Sequence, residues 1–373
     1  MDFGYTQAQE ALIARGKRDA MLFAAEGTAF GKSQAWQRVA QAGWAGLCVT
    51  GGGGHNALET VAGFEALGRG GAARGALFAL GAHLFGAAKA IENFAQPEVR
   101  DEWLTRMGDG ACVGALALTE PTGGSALGCD GTVLTDDGSD GFTLTGTKTF
   151  VTNATSAGVA IVLAREADVP APMNLTVVAV PTDAKGIRAV PLDGYGLRGS
   201  DMGTLHFDGC RIGEGQILGK RRAGLGVVLS MMQWERTCIL AGALGALDRD
   251  IAQVRKALSE RKDGRGSLLG HQAIAHGLVD LWQQVETARL VLYRAAWSLD
   301  QGKDALRQSA LCKLTLSRTL VNGSVELQRL MAGAGWANAL GLADGVQDAL
   351  AMAAASGTDE IQRNLIASRL GSP

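Results

Sequence analysis

The chain carries almost no net charge: 35 Lys and Arg stand against 37 Asp and Glu in 373 residues, a formal −2. A balance that close creates no global field to draw in nucleic acid or an anionic membrane, so neither is an expected partner. No stretch is long, apolar and uncharged enough to span a bilayer. Met1-Asp2-Phe3-Gly4 lacks the charged-then-apolar layout of a secretion signal, which makes a cytoplasmic location the expectation. Six cysteines (Cys48, Cys112, Cys129, Cys210, Cys238, Cys312) lie scattered, with no CxxC pair. They read as structural thiols, and no metal is expected. Among the five histidines, His271 and His276 form the one close pair. Their i,i+5 spacing does not put both rings on one helix face as a zinc helix requires. His83, inside Leu80-Gly81-Ala82-His83-Leu84-Phe85, reads as a satisfied buried or pocket-lining ring. A GxSxG nucleophile elbow is also absent.

What is present is a chain 47% apolar, long enough to bury a sizeable core in two or three units. Its texture changes twice. Residues 1–112 are Ala-rich with helical spacing, cut by glycine loops. Residues 113–217 alternate and favour β-branched side chains, with strands expected at Phe142–Val151, Val159–Leu163, Leu175–Val180 and Thr204–Phe207. Residues 218–373 return to helical spacing, and runs such as Leu281–Leu292 suggest a bundle. Helices, then a β unit, then helices predict an α+β fold of three domains with these bounds.

Several segments carry candidate chemistry. Gly51–Gly54 follows Leu47-Cys48-Val49 in the manner of strand, glycine loop and helix, but Gly54-His55-Asn56 supplies neither Gly-Lys-Ser/Thr nor GxGxxG. It and Gly68-Arg69-Gly70-Gly71 therefore read as tight surface loops. Leu118-Thr119-Glu120-Pro121-Thr122-Gly123-Gly124-Ser125, after an expected strand, can bring backbone N–H groups close to a ligand. With Phe150-Val151-Thr152-Asn153-Ala154 it suits a flat heterocycle with polar edges. Glu235 lies in a stretch apolar on nearly every face, with Met231 and Ile239 at i−4 and i+4. Two readings stand: a desolvated carboxylate poised as a base, or a Glu paired with Lys or Arg at a helix seam.

The order of these motifs resembles the acyl-CoA dehydrogenase family across nearly the whole chain. The Leu118–Ser125 loop resembles its flavin loop and Phe150–Asn153 its second flavin segment. Gly357-Thr358-Asp359-Glu360-Ile361-Gln362-Arg363 resembles its C-terminal signature, continued by Ile366-Ala367-Ser368-Arg369. The resemblance implies an N-terminal helical domain, a middle β domain and a C-terminal four-helix bundle binding FAD. By it, Leu118, Thr119, Gly124, Ser125, Phe150 and Thr152 meet the flavin or its pyrophosphate, with Thr358 and Glu360 from the C-terminal side. Arg261, Gly333 and Gly335 would reach a neighbouring subunit's FAD, in a homotetramer or homodimer. The chain departs from the pattern at Ala126, where an acid usually follows the loop Ser, and at Arg329, where Gln is common. The segment Arg261–Gly266 is also blurred.

One departure decides the chemistry. The family usually places its base, a Glu, directly before Gly-Thr, and here Ser356 stands there. A hydroxyl without a neighbouring base cannot deprotonate a carbon acid. Trp234-Glu235 with Cys238, Leu292-Tyr293-Arg294-Ala295-Ala296-Trp297 and Ser356-Gly357-Thr358 is similar to family members acting on carrier-protein thioesters. That resemblance makes Glu235 the base and leaves the Ser356 backbone N–H as donor to the thioester oxygen. It implies FAD-dependent α,β-dehydrogenation of an acyl or aminoacyl thioester, on CoA or a carrier protein, in natural-product biosynthesis. Reoxidation would fall to an electron-transfer flavoprotein or oxygen. A conventional short- or branched-chain acyl-CoA dehydrogenase, a non-desaturating flavoprotein on the same fold, and a non-catalytic subunit that keeps the fold for assembly or binding remain the alternatives.

Overall fold

The computed structural model describes residues 4–24, 29–127, 131–138, 141–167, 169–171, 173–302, 304–338 and 340–370. Helices run from Gln7 to Gly108, strands from Val113 to Leu218, and helices again from Gly224 to Ala367. The strands are β1 (Val113–Ala117), β2 (Val133–Asp136), β3 (Gly141–Val151), β4 (Ala157–Glu166), β5 (Leu175–Pro181), β6 (Ile187–Pro191), β7 (Gly203–Gly213) and β8 (Ile217–Leu218). They form one sheet in the order β6-β7-β3-β2-β4-β5-β8, with β1 parallel to β4. All four expected strands are present, each somewhat longer than its apolar pattern, because backbone pairing continues beyond the ends of the apolar run.

Period-two alternation along β4 divides the protein's two cores. Val159, Ile161 and Leu163 face the larger core, which includes the helices. Ala160, Val162 and Ala164 face a second core made within the β unit, with Phe142, Leu144, Leu205 and Ile212. A strand buried on both faces reads as a continuous apolar run, as Val159–Leu163 does.

Leu47-Cys48-Val49 is not a strand: it turns tightly under the glycines, with Gly53 N–H donating to the Gly46 carbonyl at 2.8 Å. The run is buried because it turns beneath neighbouring helices, and burial rather than extension put apolar residues there. Gly51–Gly54 is exposed, as a surface loop should be. Five cysteines are free and buried; Cys129 lies outside the described residues. No helix of the described residues is long and apolar enough to cross a membrane.

His83 is fully buried in a π-helical turn, Ala82–Ala88. Its Nε2 lies 3.0 Å from the Ala45 carbonyl, and its Nδ1 accepts from Gly114 N–H at 2.9 Å. Those partners require the neutral ring with the proton on Nε2. Burial pushes the ring from its ordinary 6.5 down to about 4. Below pH 6.5 the unfolded chain binds a proton that the folded chain refuses until about pH 4. Stability is therefore complete above pH 6.5 and falls as pH drops through that window. Urea unfolding at stepped pH should show a His83→Gln variant losing one proton's worth of that slope; an unchanged slope would contradict the neutral ring.

Candidate active site

Glu235 reaches the site because the helix Gly224–Cys238 buries Met231 and Met232 against the core and carries the carboxylate with them. The side chain is 8% exposed, and Oε1 accepts a 2.6 Å hydrogen bond from the Ser356 hydroxyl. Oε2 is buried with no hydrogen-bond partner. Among the described residues no lysine or arginine bonds this carboxylate, and its partner is a hydroxyl 121 residues away rather than a cation at a helix seam. Burial raises the Glu235 pKa above the usual carboxylate range, opposed by the Ser356 bond and by the charges of Arg236 and Lys313. A raised carboxyl that keeps one free oxygen can take a proton from a weak acid.

Ser356 sits at φ +56°, a left-handed conformation that L side chains adopt only when their surroundings hold them. Two side chains hold it. Arg236 Nε donates to the Ser356 carbonyl at 3.2 Å, and Gln362 Nε2 donates to the same carbonyl at 3.1 Å and to that of Gly357 at 2.9 Å. Gln362 is fully buried and can do this only because Gly357 has no side chain; a Cβ there would lie 2.8 Å from Nε2. Under the turn, Lys313 is fully buried and donates Nζ to the Ala353 carbonyl at 3.1 Å. Burial brings its pKa down to about 8. Sequence reasoning gives no role to Arg236, Gln362 or Lys313. Neighbouring helix positions do not face each other, yet Arg236 reaches round to the backbone carbonyl of the same Ser356 whose hydroxyl Glu235 accepts from. A single cation amid Ala310-Leu311-Cys312-Lys313-Leu314 was the available signal for Lys313.

The expected flavin segments meet at the end of the sheet. Leu118 and Thr119 leave β1, and Thr149 N–H donates to the Thr119 carbonyl at 2.9 Å, which joins the loop to β3. Below it lies a pair absent from the sequence reading: fully buried Lys148 donates to Glu120 at 2.8 Å and to the Leu118 carbonyl at 3.0 Å. Glu120 accepts in addition from the Gly131 and Thr132 N–H groups. Gly124 and Ser125 are exposed beyond a tight Glu120–Gly123 turn. Phe150 stands 61% exposed at φ +54°, and the hydroxyl of buried Thr152 finds no better partner than Met202 Sδ at 4.0 Å.

A bulky aromatic held outward in a left-handed conformation is a costly arrangement for a site without a ligand. With an ill-satisfied hydroxyl two residues on and an open loop backbone beside it, this surface fits a flat ring with hydrogen-bonding edges, as FAD presents. Thr358, half-buried, begins the helix Asp359–Ala367 with no side-chain cap, while Glu360 is exposed and bonded to Arg363 at 2.9 Å. Arg261, Gly333 and Gly335 gather separately near one end of the helix Leu306–Leu330. There Arg261 donates to the Met331 carbonyl at 3.3 Å and bonds none of the flavin segments of its own chain. Among the described residues no group of His, Cys, Asp and Glu is placed to hold a metal ion.

Three family models match: the N-terminal domain of acyl-CoA dehydrogenase over residues 11–111, the middle domain over 115–210 and the C-terminal domain over 222–371. The chain is 30% identical to the L-prolyl-[peptidyl-carrier protein] dehydrogenase of Pseudomonas fluorescens, across 99% of this chain and 100% of that one. It is 29% identical to the enzyme of the same name from a Serratia species, across 91% of this chain and 89% of the other. Among solved structures, the prolyl acyl carrier protein oxidase AnaB superposes with a TM-score of 0.93 at 27% identity, over 99% of this chain and all of its own. An FAD complex of PigA gives the same score and identity over 100% of this chain and 99% of that one.

Proposed function

The chain belongs to the acyl-CoA dehydrogenase family, and from that premise we propose that it introduces an α,β double bond into a thioester carried on a carrier protein. It is an FAD-dependent oxidoreductase acting on CH–CH bonds of acyl or aminoacyl thioesters. The observation that carries the assignment of the base is the Glu235–Ser356 contact, which occupies one carboxylate oxygen and leaves the other buried and free. The carrier-protein reading is supported by the two prolyl-carrier-protein dehydrogenases, which match this chain from end to end or nearly so.

FAD, when bound, supplies the two-electron acceptor for the hydride that leaves the β-carbon. Thr119 and Thr152 would hold its ring edge, Phe150 its face, Leu118, Gly124 and Ser125 the loop that meets the pyrophosphate, and Thr358 and Glu360 the C-terminal side. Arg261, Gly333 and Gly335 would serve the FAD of a neighbouring subunit in a homotetramer or homodimer, which accords with their separation from the flavin segments. An electron-transfer flavoprotein or oxygen would complete turnover.

The remaining work falls to this chain's own groups. Glu235 Oε2 takes the α-proton. Burial strengthens it as a base, and the Ser356 hydroxyl fixes the carboxylate's orientation through Oε1. The Ser356 N–H, which has no acceptor among the described residues, donates to the thioester oxygen as it gains enolate charge. Because that donor belongs to the backbone, it survives the exchange of Glu for Ser. Arg236 and Gln362 hold the opposite end of the residue, its carbonyl, and so aim the N–H.

Two consequences are measurable. Glu235 must be ionised to act, so kcat/KM should rise with pH through its elevated pKa. Ser356→Ala removes a bond that lowers that pKa, so the acidic limb of the profile should move to higher pH, with at most about a tenfold loss on the plateau. A limb that stays in place would detach the limb from Glu235.

A further inference from the structure

Proton removal by Glu235 leaves one buried charge beside the site without a task. Lys313 is fully buried in the helix Leu306–Leu330, and its ammonium has one hydrogen-bond partner among the described residues, the Ala353 carbonyl at 3.1 Å. An apolar side chain would fill that position at less cost than a desolvated charge. Ala353 lies in the last turn of the helix Leu342–Ala354, where carbonyls lack an intrahelical donor and the helix dipole favours a cation. One turn along from Lys313 on the same helix face, Ser317 Oγ donates to Asp359 Oδ1 at 2.7 Å, and Asp359 opens the helix Asp359–Ala367. Lys313 and Ser317 thus grip the chain three residues before and three residues after Ser356. Between those grips Arg236 and Gln362 hold the Ser356 carbonyl, and Glu235 holds its hydroxyl.

The structure assigns to Lys313 the part of a positioning residue: it anchors the turn that carries the Ser356 N–H and hydroxyl, and it brings a positive charge to the carboxylate which that hydroxyl orients. The inference rests on Glu235 acting as the base of a thioester dehydrogenase. The charged groups acting on Lys313 are Asp359, from the helix after the turn, and Arg236 and Glu235, from the helix Gly224–Cys238. Cys312, beside it, is a thiol that burial keeps neutral. Asp359 is shared with Ser317 and Arg318, whereas Glu235 has no ion-pair partner among the described residues. Burial brings the Lys313 pKa down to about 8, so the ammonium is charged on the acidic side of that value. Its charge and that of Arg236 favour ionised Glu235 against the effect of burial. Losing the Lys313 charge therefore raises the Glu235 pKa further.

The test follows anaerobic flavin reduction of holoenzyme against pH, with prolyl and butyryl thioesters of one carrier protein. Lys313→Met, which removes both the charge and the hydrogen bond, should lower the plateau about ten- to a hundredfold and move the acidic limb to higher pH. Lys313→Gln keeps an N–H donor for the Ala353 carbonyl and loses only the charge. It should recover most of the plateau while its limb stays displaced, and it decides the question if the Met variant fails to fold. The prolyl amine titrates alike in parent and variants, and butyryl has none. A limb unmoved in the Gln variant would overturn the inference whatever the rate, since a purely structural loss slows the enzyme without moving a pKa. In that case a parent reduced by either thioester leaves the dehydrogenase reading standing. A parent reduced by neither overturns both.

Discussion

Glu235→Gln should bind FAD and fold as the parent does, yet reduce its flavin about a hundred- to ten-thousandfold more slowly with any thioester. The amide keeps the size of the side chain and can still accept from the Ser356 hydroxyl through its carbonyl oxygen. What it cannot do is take a proton. No second carboxylate stands directly before Gly357-Thr358, where Ser356 takes the place of the family's usual Glu, so nothing replaces it there. Two readouts separate this from a general loss of fit: stopped-flow flavin reduction, and exchange of the substrate α-hydrogen with deuterated solvent. Both should fail together in Glu235→Gln. Preserved exchange with lost reduction would place the base elsewhere.

The second large effect is structural. Glu120→Ala should destabilise the protein by about 3–5 kcal/mol, because it leaves Lys148 fully buried with only the Leu118 carbonyl as partner. It also strips acceptors from the Gly131 and Thr132 N–H groups, which fixes the damage at the base of the loop expected to hold the flavin. Chemical denaturation should show the lower midpoint and the purified variant should lose FAD. Lys148→Met should cost less, since Glu120 keeps its two backbone donors. The pair Glu120→Leu with Lys148→Met should recover part of the loss, because no unpaired charge remains. A Glu120→Ala protein as stable as the parent would mean that the pair is not sealed from water.

How far the sequence could be read follows from the range of each interaction. Strands β3, β4 and β5 are legible because alternation and β-branched runs are local signals, and their pairing follows from faces that must be buried. Leu47–Val49 misleads because burial alone, without extension, produces the same three apolar letters. Glu235 shows the limit more sharply. Its apolar stripe is visible, but a base and a seam ion pair require the same stripe. The resemblance to the family favours the base, and the Ser356 hydroxyl that lies beside Glu235 comes from 121 residues away. Lys148 lies 28 residues from Glu120, and nothing in an alternating strand marks which polar residue points inward.

The central claim is that this flavoprotein oxidises a carrier-bound thioester across its α- and β-carbons. The measurement that tests it most directly is anaerobic stopped-flow absorbance of the purified holoenzyme against saturated acyl and aminoacyl thioesters, each presented on CoA and on carrier protein. The account predicts rapid bleaching of the oxidised flavin band with a carrier-bound substrate, slower bleaching with the matching CoA ester, and an unsaturated product in equal amount. A flavin that stays oxidised with every thioester would contradict it.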